Sequence, residues 1–343
     1  MRRSVPLFGV LLLATAACGG PAPPPVSRAA VGAVAASGPP PTSGPATAVS
    51  PAATASTTVT SAAPRPAAPS ALAQARPKVV VSPNGVVLPV TGFENNGVRV
   101  LTPCENSAVL DAGTPVKGAS VVLDPGHGGK ESGAVGPNRL AEKNANLAVT
   151  RVVRDTLARN GVAVLLTRTG DYDMTLTARA AVVNAIRPAA FVSIHHNADP
   201  DGPHNGPGTE TYYQLASASS KRLAGLIYEE VTRALAQYRI AWVGDTDAGA
   251  KYRTGSNGDY YAVLRQTAGT TSSLAELSFI SNPPEADLLA QPAFDDVEGQ
   301  AVARGILRYL RSNDPGSGYT TPYPRTTPAG GGGKEGCVDP PLR

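Results

Sequence analysis

Between residues 120 and 310 the sequence alternates two patterns, and this alternation limits the fold most strongly. Short runs rich in β-branched and other apolar residues predict buried strands, whereas longer segments with apolar residues at helical spacing predict helices. The predicted strands cover residues 121–123, 162–167, 190–195, 209–213 and 271–277, and the predicted helices cover residues 140–159, 175–186, 217–237, 283–289 and 295–311. The pattern predicts an α/β domain with a single mixed, mostly parallel sheet covered by helices on both faces.

Composition divides the rest of the chain. Residues 1–17 carry two arginines, an apolar run and small residues, which is typical of a secretory signal sequence. Residues 18–78 are mostly Ala, Pro, Ser and Thr and predict a disordered N-terminal tether. Residues 79–118 alternate short β-like runs with turns and predict a small β extension. Residues 119–312 then form the α/β domain, and residues 313–343 form a C-terminal tail.

The three cysteines have separate interpretations. Cys18 follows Thr15-Ala16-Ala17 and resembles the lipidated cysteine of a bacterial lipobox, although position −3 is usually Leu; plain cleavage nearby is the alternative. Cys104 and Cys337 remain as an even pair. In an exported protein such a pair predicts a disulfide, and two free thiols are the alternative. A Cys104–Cys337 disulfide would hold the C-terminal tail against the rest of the protein.

Charge gives no reason to expect nucleic acid as a partner. The chain has 30 Lys and Arg residues against 26 Asp and Glu residues. Removal of a signal sequence that contains Arg2 and Arg3 leaves an excess of only two positive charges. That balance does not predict nucleic-acid binding. No repeat or separate wall-anchoring module is visible, and we expect a monomer.

The stretch VVLDPGHGG, residues 121–129, predicts a buried strand that ends in a loop bearing His127. Sites of α/β sheets lie at the carboxyl ends of strands, so His127 is well placed to bind a ligand. The two glycines that follow allow backbone to approach a bound group. A turn with a surface histidine explains this stretch alone equally well.

Three further polar residues accompany His127. Glu142 begins a predicted helix, His195 lies in SIHHN at a strand end, and Glu276 lies between apolar residues in LAEL. Alone, Glu142 is interpretable as a solvated acid and His195 as a core histidine, whereas a buried Glu276 needs a partner or a raised pKa. Together, two histidines and a glutamate match the ligands of a catalytic zinc site, and a second glutamate matches a general base.

The motifs DPGHGG, EKNANL, SIHHN and AELSFISNPPE occur in an order that resembles the zinc-dependent N-acetylmuramoyl-L-alanine amidases of the amidase-3 type, bacterial cell-wall hydrolases. The resemblance covers residues 120–310. It implies that His127, Glu142 and His195 bind one Zn²⁺ and that Glu276 is the catalytic acid/base. It also implies peptidoglycan as substrate, cleaved between N-acetylmuramic acid and L-alanine. The family often has Ala where this chain has His196; strand alternation lets only one of the two histidines face the site, and the motif position favours His195.

Several further residues are candidates to contact the substrate. Arg168, Arg179 and Arg265 are candidates to bind the carboxylates of stem peptides, with loop-bracing ion pairs as the alternative. Asn197 and Asn282 are candidates for hydrogen bonds to substrate or for bracing their loops. We predict no helical plug over the site.

Two other functions remain open at this stage. The first is a zinc carboxypeptidase or peptide amidase that acts on another amide of the wall. The second is a wall-binding lipoprotein with a degenerate site, against which the presence of all four site residues argues. The predicted location is the cell envelope, with a membrane anchor at Cys18, or otherwise the secreted fraction.

Overall fold

The computed structural model describes residues 70–323 and 332–343. The predicted signal sequence, Cys18 and most of the predicted tether lie outside these residues. The helices are α1 Ala71–Gln74, α2 Glu142–Arg159, α3 Leu176–Ile186, α4 Ala218–Leu235, α5 Ala262–Arg265, α6 Pro283–Leu289 and α7 Pro292–Arg311. No helix among the described residues is long and apolar enough to cross a membrane.

The strands follow the same chain order. They are β1 Val79–Val81, β2 Val87–Glu94, β3 Gly97–Leu101, β4 Ser107–Leu110, β5 Thr114–Val116, β6 Val121–Pro125, β7 Val164–Leu166, β8 Ala190–Asn197, β9 Gly202–Pro203, β10 Glu210–Tyr213, β11 Val243–Gly244, β12 Gly249–Lys251, β13 Thr254–Gly255, β14 Gly258–Asp259 and β15 Ser272–Phe279.

A six-stranded sheet forms the centre of the α/β domain, in the order β12-β10-β15-β8-β6-β7. Neighbouring strands run parallel except for the antiparallel pair β10–β15. The central strands β6, β8 and β15 are almost entirely buried on both faces, as parallel strands covered on both sides usually are. The carboxyl ends of β6, β8 and β15 lie at one edge of this sheet, because all three run parallel.

The two faces of the sheet are covered differently. On one face Leu123, Val192 and Leu277 pack with apolar residues of α2, α4 and α7. On the other face Val122 and Phe191 pack with α3, α5 and apolar residues of β1 and β2. The prediction of helices on both faces is therefore only partly right, because strands of a second sheet share the cover of the second face.

This second sheet has five antiparallel strands in the order β4-β3-β2-β1-β5. It buries a core of its own that includes Val80, Leu88 and Val98. Leu72 and Ala73 of α1 belong to the same core. The prediction that the tether extends to residue 78 is therefore wrong, because Leu72 and Ala73 are buried in the folded part of the chain.

The C-terminal segment, residues 332–343, also packs against the second sheet. The structure joins Cys104 to Cys337 as a disulfide, with their Cα atoms 5.6 Å apart. The Asp339 carboxylate accepts hydrogen bonds from the Cys104 backbone N–H and the Thr102 hydroxyl, both at 2.8 Å. Leu342 packs on the core of the second sheet. These contacts make the segment part of the fold.

Candidate active site

The loop after β6 brings His127 over the end of the central sheet. His127 has a φ of 59°, and the following Gly128 and Gly129 also have positive φ values. Just before it, a Cβ atom at Gly126 would lie 2.1 Å from the His195 ring. The glycines of VVLDPGHGG therefore serve two needs, the turn itself and the close approach of the two histidines.

His127, Glu142 and His195 converge at this loop. Nε2 of His127 lies 3.1 Å from one Glu142 oxygen, and Nδ1 of His195 lies 3.0 Å from the other. One ligand atom from each residue lies within 4.8 Å of those of the other two. The His127 and His195 side chains are 27 % and 17 % exposed, against 6 % for Glu142. The histidines are therefore reachable from the solvent side, as an open metal site requires.

The charge states of this group suit metal binding. Burial opposes the ionisation of Glu142, but hydrogen bonds from His127 and His195 outweigh it and hold the pKa of Glu142 well below its ordinary value. Burial lowers the pKa of His195, which keeps that imidazole neutral. An ionised carboxylate and a neutral imidazole are the forms in which these residues bind a metal. The Asn146 amide, 3.1 Å from Glu142, holds the carboxylate in place.

Two buried arginines hold the loop after β6 in place through hydrogen bonds to its backbone carbonyls. Arg179 donates to the His127 carbonyl at 2.7 Å and forms an ion pair with Asp124 at 2.8 Å. Arg168 donates to the carbonyls of Pro125 and Gly126, each at 2.9 Å. The loop backbone is thus fixed by charge-assisted hydrogen bonds, which are stronger than neutral ones.

Glu276 lies beside this group on the same face of the sheet. In the strand register it is opposite His195 of β8 on one side and Glu210 of β10 on the other. Its Oε2 atom is buried and has no hydrogen-bond partner among the described residues. Burial, with repulsion from the carboxylates of Glu142 and Glu210, raises the pKa of Glu276 well above its ordinary value. A carboxyl group in a cleft with a raised pKa is a candidate for proton transfer.

A cleft of about 310 Å³ connects these residues to solvent. It is lined by His127, His195 and Glu276, and on its far side by Tyr260 and Tyr261. These tyrosines lie between β14 and α5. The cleft provides the concave space that a substrate needs beside the candidate metal ligands.

His196 points away from this cleft, as strand alternation predicts. Its Nδ1 lies 2.7 Å from the Asn146 oxygen, and its Nε2 lies 2.9 Å from Glu298 of α7. The His196 and Glu298 side chains are fully buried. Sequence reasoning missed Glu298, although its spacing four residues after Phe294 and four before Val302 places it on the buried face of a helix.

The predicted substrate-binding residues separate into two groups. The prediction was wrong for Arg168, which is fully buried, donates to backbone carbonyls and has a pKa lowered to about 10 by burial. For Asn282 the structure shows the predicted alternative of bracing, because its amide donates to the Ala241 carbonyl and the Glu285 carboxylate at the start of α6. Arg265 does line the cleft, while the Asn197 amide donates to Glu210.

The sequence profile of the N-acetylmuramoyl-L-alanine amidases, amidase-3 type, matches residues 121–308. The chain belongs to this amidase family. The matched region contains all four residues that converge at the cleft, whereas the second sheet and the C-terminal segment lie outside it.

The chain is also similar to individual proteins. Protein YqiI of Bacillus subtilis (strain 168), which is uncharacterized, is 36 % identical over 211 residues, which are 61 % of this chain and 91 % of that protein. The germination-specific N-acetylmuramoyl-L-alanine amidase of the same organism is 32 % identical over 210 residues, 57 % of this chain and 81 % of that protein. The solved catalytic domain of the amidase CwlV from Bacillus (Paenibacillus) polymyxa var. colistinus is 34 % identical, with a TM-score of 0.47, and the match covers 55 % of this chain and 97 % of that one.

Proposed function

We propose that this protein hydrolyses the amide bond between N-acetylmuramic acid and L-alanine in peptidoglycan, with one zinc ion per chain. The observation that carries this proposal is the convergence of His127, Glu142 and His195 at a cleft that Glu276 also lines. Membership of the amidase family supports the bond that is cleaved.

The three converging side chains suit zinc. Two imidazole nitrogens and one carboxylate are a common set of ligands for catalytic zinc, and the side facing the cleft is left for water and substrate. The hydrogen bond from Asn146 supports this role, since it holds the Glu142 carboxylate in place. When bound there, zinc would act as a Lewis acid toward the scissile carbonyl and lower the pKa of water.

Glu276 would act as the general base and then as the general acid. It takes a proton from the attacking water and delivers it to the leaving nitrogen of L-alanine. Its raised pKa and its partnerless Oε2 support this role, because such a group can hold a proton during half of the cycle. Glu142 stays ionised, so two nearby glutamates have different roles because their surroundings differ.

Product analysis on a defined muropeptide tests the proposal. Mass spectrometry of a digested disaccharide-pentapeptide should show an intact stem peptide with a free L-alanine amine and a disaccharide with a free lactyl carboxyl group. A chelator should abolish this reaction and added zinc should restore it. Cleavage within the stem peptide would instead identify a carboxypeptidase or peptide amidase.

We also propose that the protein is exported and anchored at the cell envelope through lipid on Cys18. Metabolic labelling with a fatty-acid analogue should label the wild type and leave a Cys18→Ala variant unlabelled. An unlabelled wild type would remove the anchor from the proposal without affecting the proposed reaction.

A further inference from the structure

The C-terminal segment, residues 332–343, reaches the same cleft as the proposed zinc ligands. Gly332 lines this cleft together with His127, His195 and Glu276. The segment lies outside the residues that match the amidase family. We propose that this segment is a fixed wall that selects substrates by size, an inference that rests on the function proposed above.

Gly332 connects two elements that border the cleft. Its backbone N–H donates to the Glu131 carboxylate, and its carbonyl accepts from the Leu176 N–H at 3.0 Å. Glu131 follows His127 by four residues, and Leu176 begins α3; both line the cleft. The segment therefore closes the gap between the His127 loop and α3.

The rest of the segment holds Gly332 in this position. The Lys130 ammonium donates to the Gly336 carbonyl at 3.1 Å, and the Val338 N–H donates to Asp173 at 2.9 Å. The Cys104–Cys337 disulfide ties the segment to the second sheet. These covalent and hydrogen-bonded anchors, at Gly336, Cys337 and Val338, hold the segment at the border of the cleft.

The effect of this wall on the substrate is steric. The N–H and carbonyl of Gly332 already have partners, and glycine has no side chain to offer. The wall therefore limits how much of a branched polymer can lie across the cleft. A soluble disaccharide-peptide passes this limit more easily than a cross-linked strand, so the wall favours small fragments over intact wall polymer.

The sequence of the segment allows a matched pair of variants. Gly332 has a φ of 74°, and a Cβ atom there would lie 2.4 Å from the Leu176 side chain. Gly332→Ala therefore pushes the segment and Leu176 apart. A Cβ atom at the neighbouring Gly333 meets nothing within 4 Å, so Gly333→Ala is the control.

The experiment compares two substrates for each variant of the full chain. The rate on intact cross-linked sacculi is divided by the rate on a soluble disaccharide-pentapeptide, so that differences in the active fraction cancel. Gly332→Ala and the double variant Cys104→Ser/Cys337→Ser should each raise this ratio by about fivefold, whereas Gly333→Ala should stay within about twofold of wild type. The cysteine variant replaces treatment with thiols, which would compete for zinc.

An unchanged ratio in Gly332→Ala overturns the proposal, even where both rates change together. Should the cysteine variant fold poorly, Gly332→Ala still decides, because it leaves the disulfide in place. Failure of the proposed function has a different signature: the wild type would then leave the soluble disaccharide-pentapeptide uncut.

Discussion

His195 and His196 are adjacent in β8 and have the same side chain, yet they have opposite surroundings. His195 lies in the cleft, partly exposed and 3.0 Å from Glu142. His196 lies on the other face, fully buried between Asn146 and Glu298. The period of two along a strand sends neighbours to opposite faces, so the face decides the role and the residue type does not.

The same contrast separates two glutamates. Both oxygens of Glu298 have partners, the Ser278 hydroxyl at 2.9 Å and His196. Glu276 on the cleft face has an oxygen without a partner among the described residues. Buried polar groups normally pair, so Glu298 follows the usual pattern, whereas the unpaired oxygen of Glu276 supports the catalytic role proposed for it.

The largest expected effect is on the cleft histidine. His195→Ala should lose bound zinc and lower activity by at least about a thousandfold, since a ligand is removed from the proposed site. Metal analysis measures the bound zinc, and the muropeptide assay measures the activity. His204→Ala is the control, because His204 is exposed and is not among the residues that line the cleft. A full zinc content in His195→Ala would contradict the assignment of that histidine.

Glu276→Gln should lower turnover by about 10²- to 10⁴-fold while zinc stays bound, because proton transfer is lost and the ligands remain. The measurement is turnover at saturating muropeptide together with zinc content. Glu276 would leave the mechanism if this variant hydrolysed the substrate at nearly the wild-type rate.

On the opposite face, Glu298→Ala should act mainly on stability. It leaves His196 buried without its carboxylate, and breaking a buried pair in this way costs about 3–5 kcal/mol. Because His196 also holds Asn146, which holds Glu142, zinc affinity should fall by about 10- to 100-fold. Urea denaturation of metal-free protein and a competitive zinc titration report the two effects. If Glu298→Ala left the free energy of unfolding unchanged, the His196–Glu298 pair would not stabilise the fold, and the contrast between the two faces would fail.

The smallest expected effect is on the pH dependence of the free energy of unfolding. It concerns Asp295 in the first turn of α7, the helix that carries Glu298. Burial, with repulsion from Glu298, raises the pKa of Asp295 to about 6. A raised pKa means that this group stabilises the fold below pH 3.8 and that the contribution is lost as the pH rises through 6.

Relative to Asp295→Asn, the wild type should therefore lose about 1 kcal/mol of unfolding free energy between pH 4 and pH 7, after allowance for the solvent screening of a half-buried group. Urea denaturation of both proteins at the two pH values measures the difference. A difference that is constant with pH would show that Asp295 titrates normally.

The sequence by itself determined the α/β domain and the residues that meet at the cleft. Strand and helix periodicity are local, so the α6 bounds matched the prediction, Pro283–Leu289. His127 lies just beyond β6, where Pro and Gly give a strong turn signal, Glu142 begins α2, and Glu276 stands out as a carboxylate between apolar residues of β15.

Only the tertiary structure decided which of these residues are accessible and what borders them. The sequence makes Arg168 a candidate for substrate binding, but in the fold its guanidinium donates to the Pro125 and Gly126 carbonyls at the loop after β6. Leu72 joined a core that is completed by strands further along the chain. Gly332 reached Glu131, 201 residues earlier, because the fold and the Cys104–Cys337 disulfide bring distant segments together. The pair of cysteines predicts that the tail is held back, but local sequence patterns do not show which residues the tail contacts, because burial depends on the whole arrangement of elements.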